Sequence, residues 1–91
     1  MEFEWDENKR MINLAKHRFD FADAVFIFID PYRITFVDSR KDYGERREHT
    51  IGMFKNELIV SVIHTDRNGK TRIISARRAN KRERSIYYGN R

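Results

Sequence analysis

Two arginine-bearing stretches carry the chemistry of this chain: Asp38-Ser39-Arg40-Lys41-Asp42-Tyr43-Gly44-Glu45-Arg46-Arg47 and Arg72-Ile73-Ile74-Ser75-Ala76-Arg77-Arg78-Ala79. Each sets arginines where the residue pattern begins or ends a strand. Strand ends are rigid platforms, so side chains carried there can converge on one bound group. A guanidinium is planar, stays charged, and grips two oxygens at once, which suits a phosphate. Arg46 and Arg77 are the first candidates, each followed by a second arginine, Arg47 and Arg78. Joint action on one phosphate requires Arg46 and Arg77 on the same side of the molecule. The combination points toward RNA chemistry.

The rest of the chain must hold those groups in place. With 91 residues it supports one domain spanning 1–91, and no repeat, low-complexity run or Gly/Ser linker divides it. Apolar residues make up 40%, including seven Phe, four Tyr and one Trp, enough for a modest core. A net charge of +5 favours an anionic partner: nucleic acid, an acidic protein or a membrane surface. The absence of cysteine excludes disulfides, thiol nucleophiles and cysteine-bound metals. Met1–Asp6 lacks the pattern of a secretory signal, and the apolar runs near 24–29 and 58–63 are too short to span a bilayer. A cytoplasmic protein with no membrane partner is the expectation.

Glu2–Trp5 alternates and reads as a short edge strand. Asp6 is a good N-cap for a helix over 7–16, with Trp5, Asn8, Ile12, Ala15 and Phe19 on its inner side. Asp20 caps a second helix, where Phe21, Ala24, Val25 and Phe28 fall at helical spacing, and Asp30-Pro31 ends it. From Arg33 the period becomes two. Strands are expected at Arg33–Asp38, His49–Phe54, Glu57–Thr65 and Thr71–Ala76, with a hairpin at Lys55-Asn56 and a strong turn signal at Asn68-Gly69. The Glu57–Thr65 strand is apolar on both faces and should be central. Residues 78–88 read as a last helix, with Gly89 as its stop. The fold class is α+β: two N-terminal helices, a four-stranded antiparallel meander with a possible N-terminal edge strand, and a closing helix.

The ordered set Phe3-Glu4-Trp5-Asp6, Asn13-Leu14-Ala15-Lys16-His17, Phe21-Ala22-Asp23-Ala24, Tyr43-Gly44-Glu45-Arg46, Gly52, Arg72-Ile73-Ile74-Ser75-Ala76-Arg77 and Glu83-Arg84 resembles the BrnT toxins of type II toxin–antitoxin systems. It spans nearly the whole chain in family order. The resemblance implies a RelE-like fold, ribonuclease activity that arrests translation, and neutralisation by a BrnA ribbon-helix-helix antitoxin. It also implies that operator DNA is reached only through the toxin–antitoxin complex. One departure is Arg18, which stands where the family usually carries Gly.

RNA is cut when its 2′-hydroxyl attacks the adjacent phosphate. The protein must take that proton, stabilise the phosphorane-like charge and protonate the leaving 5′-oxygen. Stabilising developing charge is commonly the largest contribution. The catalytic candidates are His17, Glu45, Arg46 and Arg77, and the candidates for RNA binding are Lys16, Arg47, Arg72, Arg78 and Tyr87. His17 titrates near neutrality and lies at the break between the helices, where it could equally cap a backbone carbonyl. Glu45 beside several arginines would have a lowered pKa, which suits orientation better than acid catalysis. A buried Glu83–Arg77 pair would fix that arginine's fork. Tyr87 could stack on a base or anchor the last helix. His49 and His64, at strand positions, have ordinary packing roles.

Asp38, Asp42, Glu45 and His49 form a loose acidic cluster with ligands suited to Mg²⁺, but basic residues interrupt it and no zinc spacing occurs. The expected chemistry therefore uses neither metal nor cofactor. A non-catalytic module that binds nucleic acid or protein is the competing class. It would show salt-dependent binding without cleavage.

Overall fold

Asp6 turns a short strand directly into a helix: its carboxylate accepts from Asn8 N–H at 2.8 Å and Lys9 N–H at 3.1 Å. The computed structural model describes residues 1–90. In chain order the elements are β1 (Phe3–Trp5), α1 (Glu7–His17), α2 (Phe21–Ala24), a 3₁₀ helix (Val25–Ile29), β2 (Ile34–Val37), β3 (Glu48–Phe54), β4 (Leu58–Arg67), β5 (Lys70–Arg78) and α3 (Lys81–Gly89).

The sheet has five strands in the order β1-β5-β4-β3-β2. Strands β2 to β5 form the expected antiparallel meander, and β4 is central. The N-terminal strand corrects the four-stranded antiparallel expectation. It pairs parallel to β5, Phe3 opposite Thr71 and Trp5 opposite Ile73, so the sheet is mixed. Packing drives that pairing: the Phe3 ring meets Phe28 at 5.2 Å and Trp5 meets Phe21 edge-on at 6.2 Å. Asn68 and Gly69 both take positive φ in the β4–β5 turn, as an Asn-Gly hairpin requires.

The second helix also departs from expectation. Only Phe21–Ala24 is α-helical; Val25–Ile29 winds more tightly. β-Branched Val25, Ile27 and Ile29 crowd an α-helix, and short 3₁₀ turns accommodate such a run. The winding buries Ile27 completely against β3. A Cβ on Gly52 would lie 2.9 Å from the Ile27 Cβ, so only glycine permits this approach.

In α1 the residue facing inward is Asn13, whereas Ile12 is 67% exposed. The reason is the β5 backbone beyond the reach of β1. Asn13 donates to Ala76 O at 2.7 Å and accepts from Ala76 N–H at 3.2 Å, completing that edge as a strand would. Arg18 ends α1 in the left-handed region (φ 58°), its N–H donating to Leu14 O. A residue without Cβ suits that conformation best.

α1, α2 and the 3₁₀ helix cover one face of the sheet, over Val60, Val62, Ile73 and Ala76. α3 lies on the other, where Tyr87 packs with Ile51, Ile59 and Ala79. It begins at Lys81 rather than 78, because β5 runs on to Arg78 and Asn80 caps the helix. Being short, α3 covers only part of its face, and the uncovered part is where the polar side chains gather.

Candidate active site

Strand register sets the site. Ser61 lies opposite both Ile51 and Arg77, and His49 lies opposite Ile63. Alternation along each strand therefore turns His49, Ser61, Ser75 and Arg77 to the α3 face. There they line a cleft of about 320 Å³ with Arg40 and Glu83.

Glu83 ties these groups together. Its carboxylate accepts both arms of the Arg77 fork, at 2.7 and 3.0 Å. It also accepts the N–H of Asn80 at 2.9 Å, closing a capping box with Asn80 Oδ1 on Glu83 N–H. Ser61 Oγ donates to the same carboxylate at 3.2 Å and lies 2.5 Å from His49 Nε2, which is itself 3.4 Å from Glu83 Oε2. Burial alone would push the Glu83 carboxyl up, but Arg77 and the Asn80 N–H hold it below its ordinary value. The ion pair expected from the sequence is thus present.

With the Ser61 proton on Glu83, the consistent histidine tautomer carries hydrogen on Nε2 and leaves Nδ1 as an acceptor. Among the described residues Nδ1 makes no hydrogen bond. Burial lowers the His49 pKa, and Glu83 partly opposes that, so the balance favours the neutral ring. Phe36 packs edge-on against it, ring centroids 5.1 Å apart. Arg77 donates to Glu83 twice and to Arg78 O once, which leaves its Nε–H and one Nη2 hydrogen for a ligand.

The loop after β2 supplies the opposite wall. Asp38 is buried and grips the exposed Arg40 through two bonds of 2.8 and 2.9 Å, so its carboxyl falls to about 2. Tyr43 O–H donates to Asp38 at 3.3 Å, and the Arg47 guanidinium stacks 4.0 Å from the Tyr43 ring. Arg47 and Arg67 both bind Glu45, which lowers its pKa. Glu45 thus holds Arg47 and Arg67, not Arg46 or Arg77, and lies outside the cleft lining. The four side chains of the loose acidic cluster go to different partners, and no group suited to a metal ion forms among the described residues.

The structure does not bring Arg46 and Arg77 together. Arg46 is exposed in the loop just before β3 and reaches Glu48 at 3.7 Å. Glu48 lies opposite His64, on the sheet face away from the cleft. Tyr87 is fully buried, with its hydroxyl donating to Asp30 at 2.6 Å, so it anchors α3 and cannot stack on a base. Arg72 is held by Glu4 at 2.9 Å, whereas Arg78 is exposed at the end of β5. Lys16 and His17 line a smaller hollow against Ile74 and Ser75, and Ser75 also lines the main cleft. Burial, then Lys16 and Arg77, lower the His17 pKa.

His49 and Ser61 were not legible as site residues, since only strand register sets them beside Glu83. The Asn80-x-x-Glu83 spacing is the local signal that marks the start of α3.

Residues 5–83 match the family model described as the ribonuclease toxin BrnT of type II toxin–antitoxin systems. No curated protein matches the chain. The chain is similar to the crystal structure of the Brucella abortus ribonuclease toxin BrnT, with 34% identity and a TM-score of 0.67, covering 89% of this chain and 99% of that one. No helix among the described residues is long and apolar enough to cross a membrane. The family match over most of the sequence, with a shared fold at that level of identity, places this chain in the BrnT family of ribonuclease toxins of type II toxin–antitoxin systems.

Proposed function

We propose that the protein is a metal-independent endoribonuclease, RelE-like in its chemistry, that cuts RNA in the cleft between Arg40 and Arg77. The observation that carries this reading is the chain Glu83–Ser61–His49 beneath the Arg77 fork. His49 Nδ1 takes the 2′-hydroxyl proton, and the 2′-oxygen attacks the adjacent phosphorus. Arg77 and Arg40 offset the charge that gathers on the phosphoryl oxygens. The bond to the 5′-oxygen breaks as protonated His17, which adjoins the cleft through Ser75, gives that oxygen its proton. The products are a 2′,3′-cyclic phosphate and a 5′-hydroxyl.

Glu83 stabilises the imidazolium formed on His49, and its grip keeps the Arg77 fork aimed before substrate arrives. Lys16 and Arg78, both exposed, contact flanking phosphates, while Arg47 and Arg72 act through Glu45 and Glu4. Cleavage of messenger RNA, free or on the ribosome, arrests translation. A BrnA-like ribbon-helix-helix antitoxin neutralises the protein and carries the complex to operator DNA.

The test is RNA cleavage by purified, antitoxin-free protein with and without EDTA, comparing wild type, His49→Gln and Arg77→Lys. Cleavage should resist the chelator. Loss of a positioned base should cost on the order of 10²–10⁴-fold, and loss of the bidentate donor about 10²–10³-fold. Intact RNA after exposure to folded wild-type protein, or undiminished cleavage by both variants, would defeat the reading. Salt-dependent binding without cleavage would instead establish a non-catalytic module.

A further inference from the structure

Phe36 divides the cleft. On one side lie Arg40 and Arg77; on the other is a second hollow of about 310 Å³ that shares Phe36, His49 and Glu83 with the first. Its remaining lining is Ile51, Ile86, Asn80 and Arg82. The chemistry of the two sides differs. The first offers cations for phosphate oxygens. The second has an apolar floor in buried Ile51, flanked by Phe36 at 41% and Ile86 at 39% exposure. Large apolar side chains left partly open beside a charged cleft are suited to a flat, weakly polar ring. Phe36 meets the His49 ring in a T-shaped contact and is still 41% exposed, so part of its ring is open to the hollow.

The polar groups at the rim are donors. The Asn80 side-chain oxygen is taken by the Glu83 N–H, which leaves its amide hydrogens to offer. Arg82 has donors only. The Glu83 carboxylate is occupied by Arg77, Asn80 and Ser61. A base that sets two acceptors side by side complements this rim. Guanine does so with O6 and N7, whereas adenine replaces one of them with an amino group.

We propose that this hollow is a nucleobase subsite next to the scissile phosphate, in which a guanine stacks on Phe36 and receives hydrogen bonds from Arg82 and Asn80. The inference rests on the ribonuclease reading of the cleft: the phosphate side supplies affinity for any RNA, and the Phe36 side supplies sequence preference. Arg82 and Phe36 are then specificity residues, outside the group that moves protons.

The experiment uses the full chain and 2′-O-methyl RNA trinucleotides, which lack the attacking hydroxyl, with guanine or adenine at the centre. Binding is measured for wild type, Phe36→Ala, Arg82→Ala and Arg77→Lys, and cleavage of ordinary RNA is followed in parallel. Wild type should prefer the guanine trinucleotide by on the order of 10-fold. Phe36→Ala should weaken both trinucleotides by about 5- to 100-fold, the range for removing one base–aromatic stack. Arg82→Ala, at an exposed helical position with little effect on folding, should bring the two trinucleotides to equal affinity. Arg77→Lys should weaken both equally and leave the preference intact.

Equal wild-type binding of the two, no detectable binding of either, or a preference unchanged in Arg82→Ala would overturn the subsite. If His49→Gln and Arg77→Lys abolish cleavage while the preference ignores Phe36 and Arg82, only the subsite fails. If those two variants cleave normally, the reading of the cleft fails with it.

Discussion

Replacing Glu83 with Gln separates charge from shape. The amide keeps the volume and one oxygen, so the capping box with Asn80 survives. What goes is the charge that binds Arg77 at 2.7 and 3.0 Å, with an N–H₂ now set against Arg77 or Ser61. Breaking a buried ion pair by removing one partner costs about 3–5 kcal/mol. The Arg77 side chain is 35% exposed and can turn toward water, which reduces the expected loss to about 2–3 kcal/mol. For a domain of this size that corresponds to roughly 10–20 °C in melting temperature.

The assay is thermal unfolding at pH 7 of wild type, Glu83→Gln, Arg77→Met and the double variant. A coupling energy of about 1 kcal/mol or more is expected between the two positions. Because the folded pKa of Glu83 is lowered, its contribution is complete above the ordinary carboxylate pKa. It is lost as pH falls through the folded value, so wild type and Glu83→Gln should converge in acid. In cleavage assays the acidic limb of the pH–rate profile should move to lower pH in Glu83→Gln, since His49 loses the anion that favours its protonated form. Effects that add within about 0.3–0.5 kcal/mol, or an unchanged melting curve, would refute the account of Glu83 as the site's organising anion.

Three further outcomes follow from single positions. Arg18→Gly relieves a left-handed residue at the end of α1 and should raise stability by about 0.5–1 kcal/mol, read as a higher melting temperature with unchanged cleavage. Gly52→Ala forces a methyl against Ile27 at 2.9 Å and should cost about 1–3 kcal/mol in urea unfolding, with the pairing Gly52→Ala/Ile27→Ala recovering part of it. Asp38, with its carboxyl at about 2 when folded and an ordinary value of 3.8, contributes above pH 3.8 and progressively less as pH falls toward 2. The buried carboxylate faces an exposed Arg40, so about 1–2 kcal/mol is the expected size, and Asp38→Asn should remove that part of the acid transition.

What the sequence determined by itself was local. Asp6 and Asp20 cap the first two helices, Asn68-Gly69 turns β4 into β5, and the two apolar faces of β4 mark it as central. Each of these is decided within a few residues by hydrogen-bond and dihedral preferences. The family motifs, which run the length of the chain, carried the class of activity as well. The Glu83–Arg77 pair was foreseeable from charge and helix position.

Tertiary structure decided which side chains meet. β1 joins β5 across most of the chain because Phe3 and Trp5 bury against Phe28 and Phe21, a contact no local pattern announces. Asn13 rather than Ile12 faces inward because an unpaired strand edge needs an amide more than a methyl. Arg46 and Arg77 look equivalent as letters, yet their side chains reach toward opposite faces, while His49 and Ser61 come together through pairing between β3, β4 and β5. Side-chain direction alternates with every residue, so the register between distant strands, and the shortness of the helix above them, settled where the chemistry could assemble.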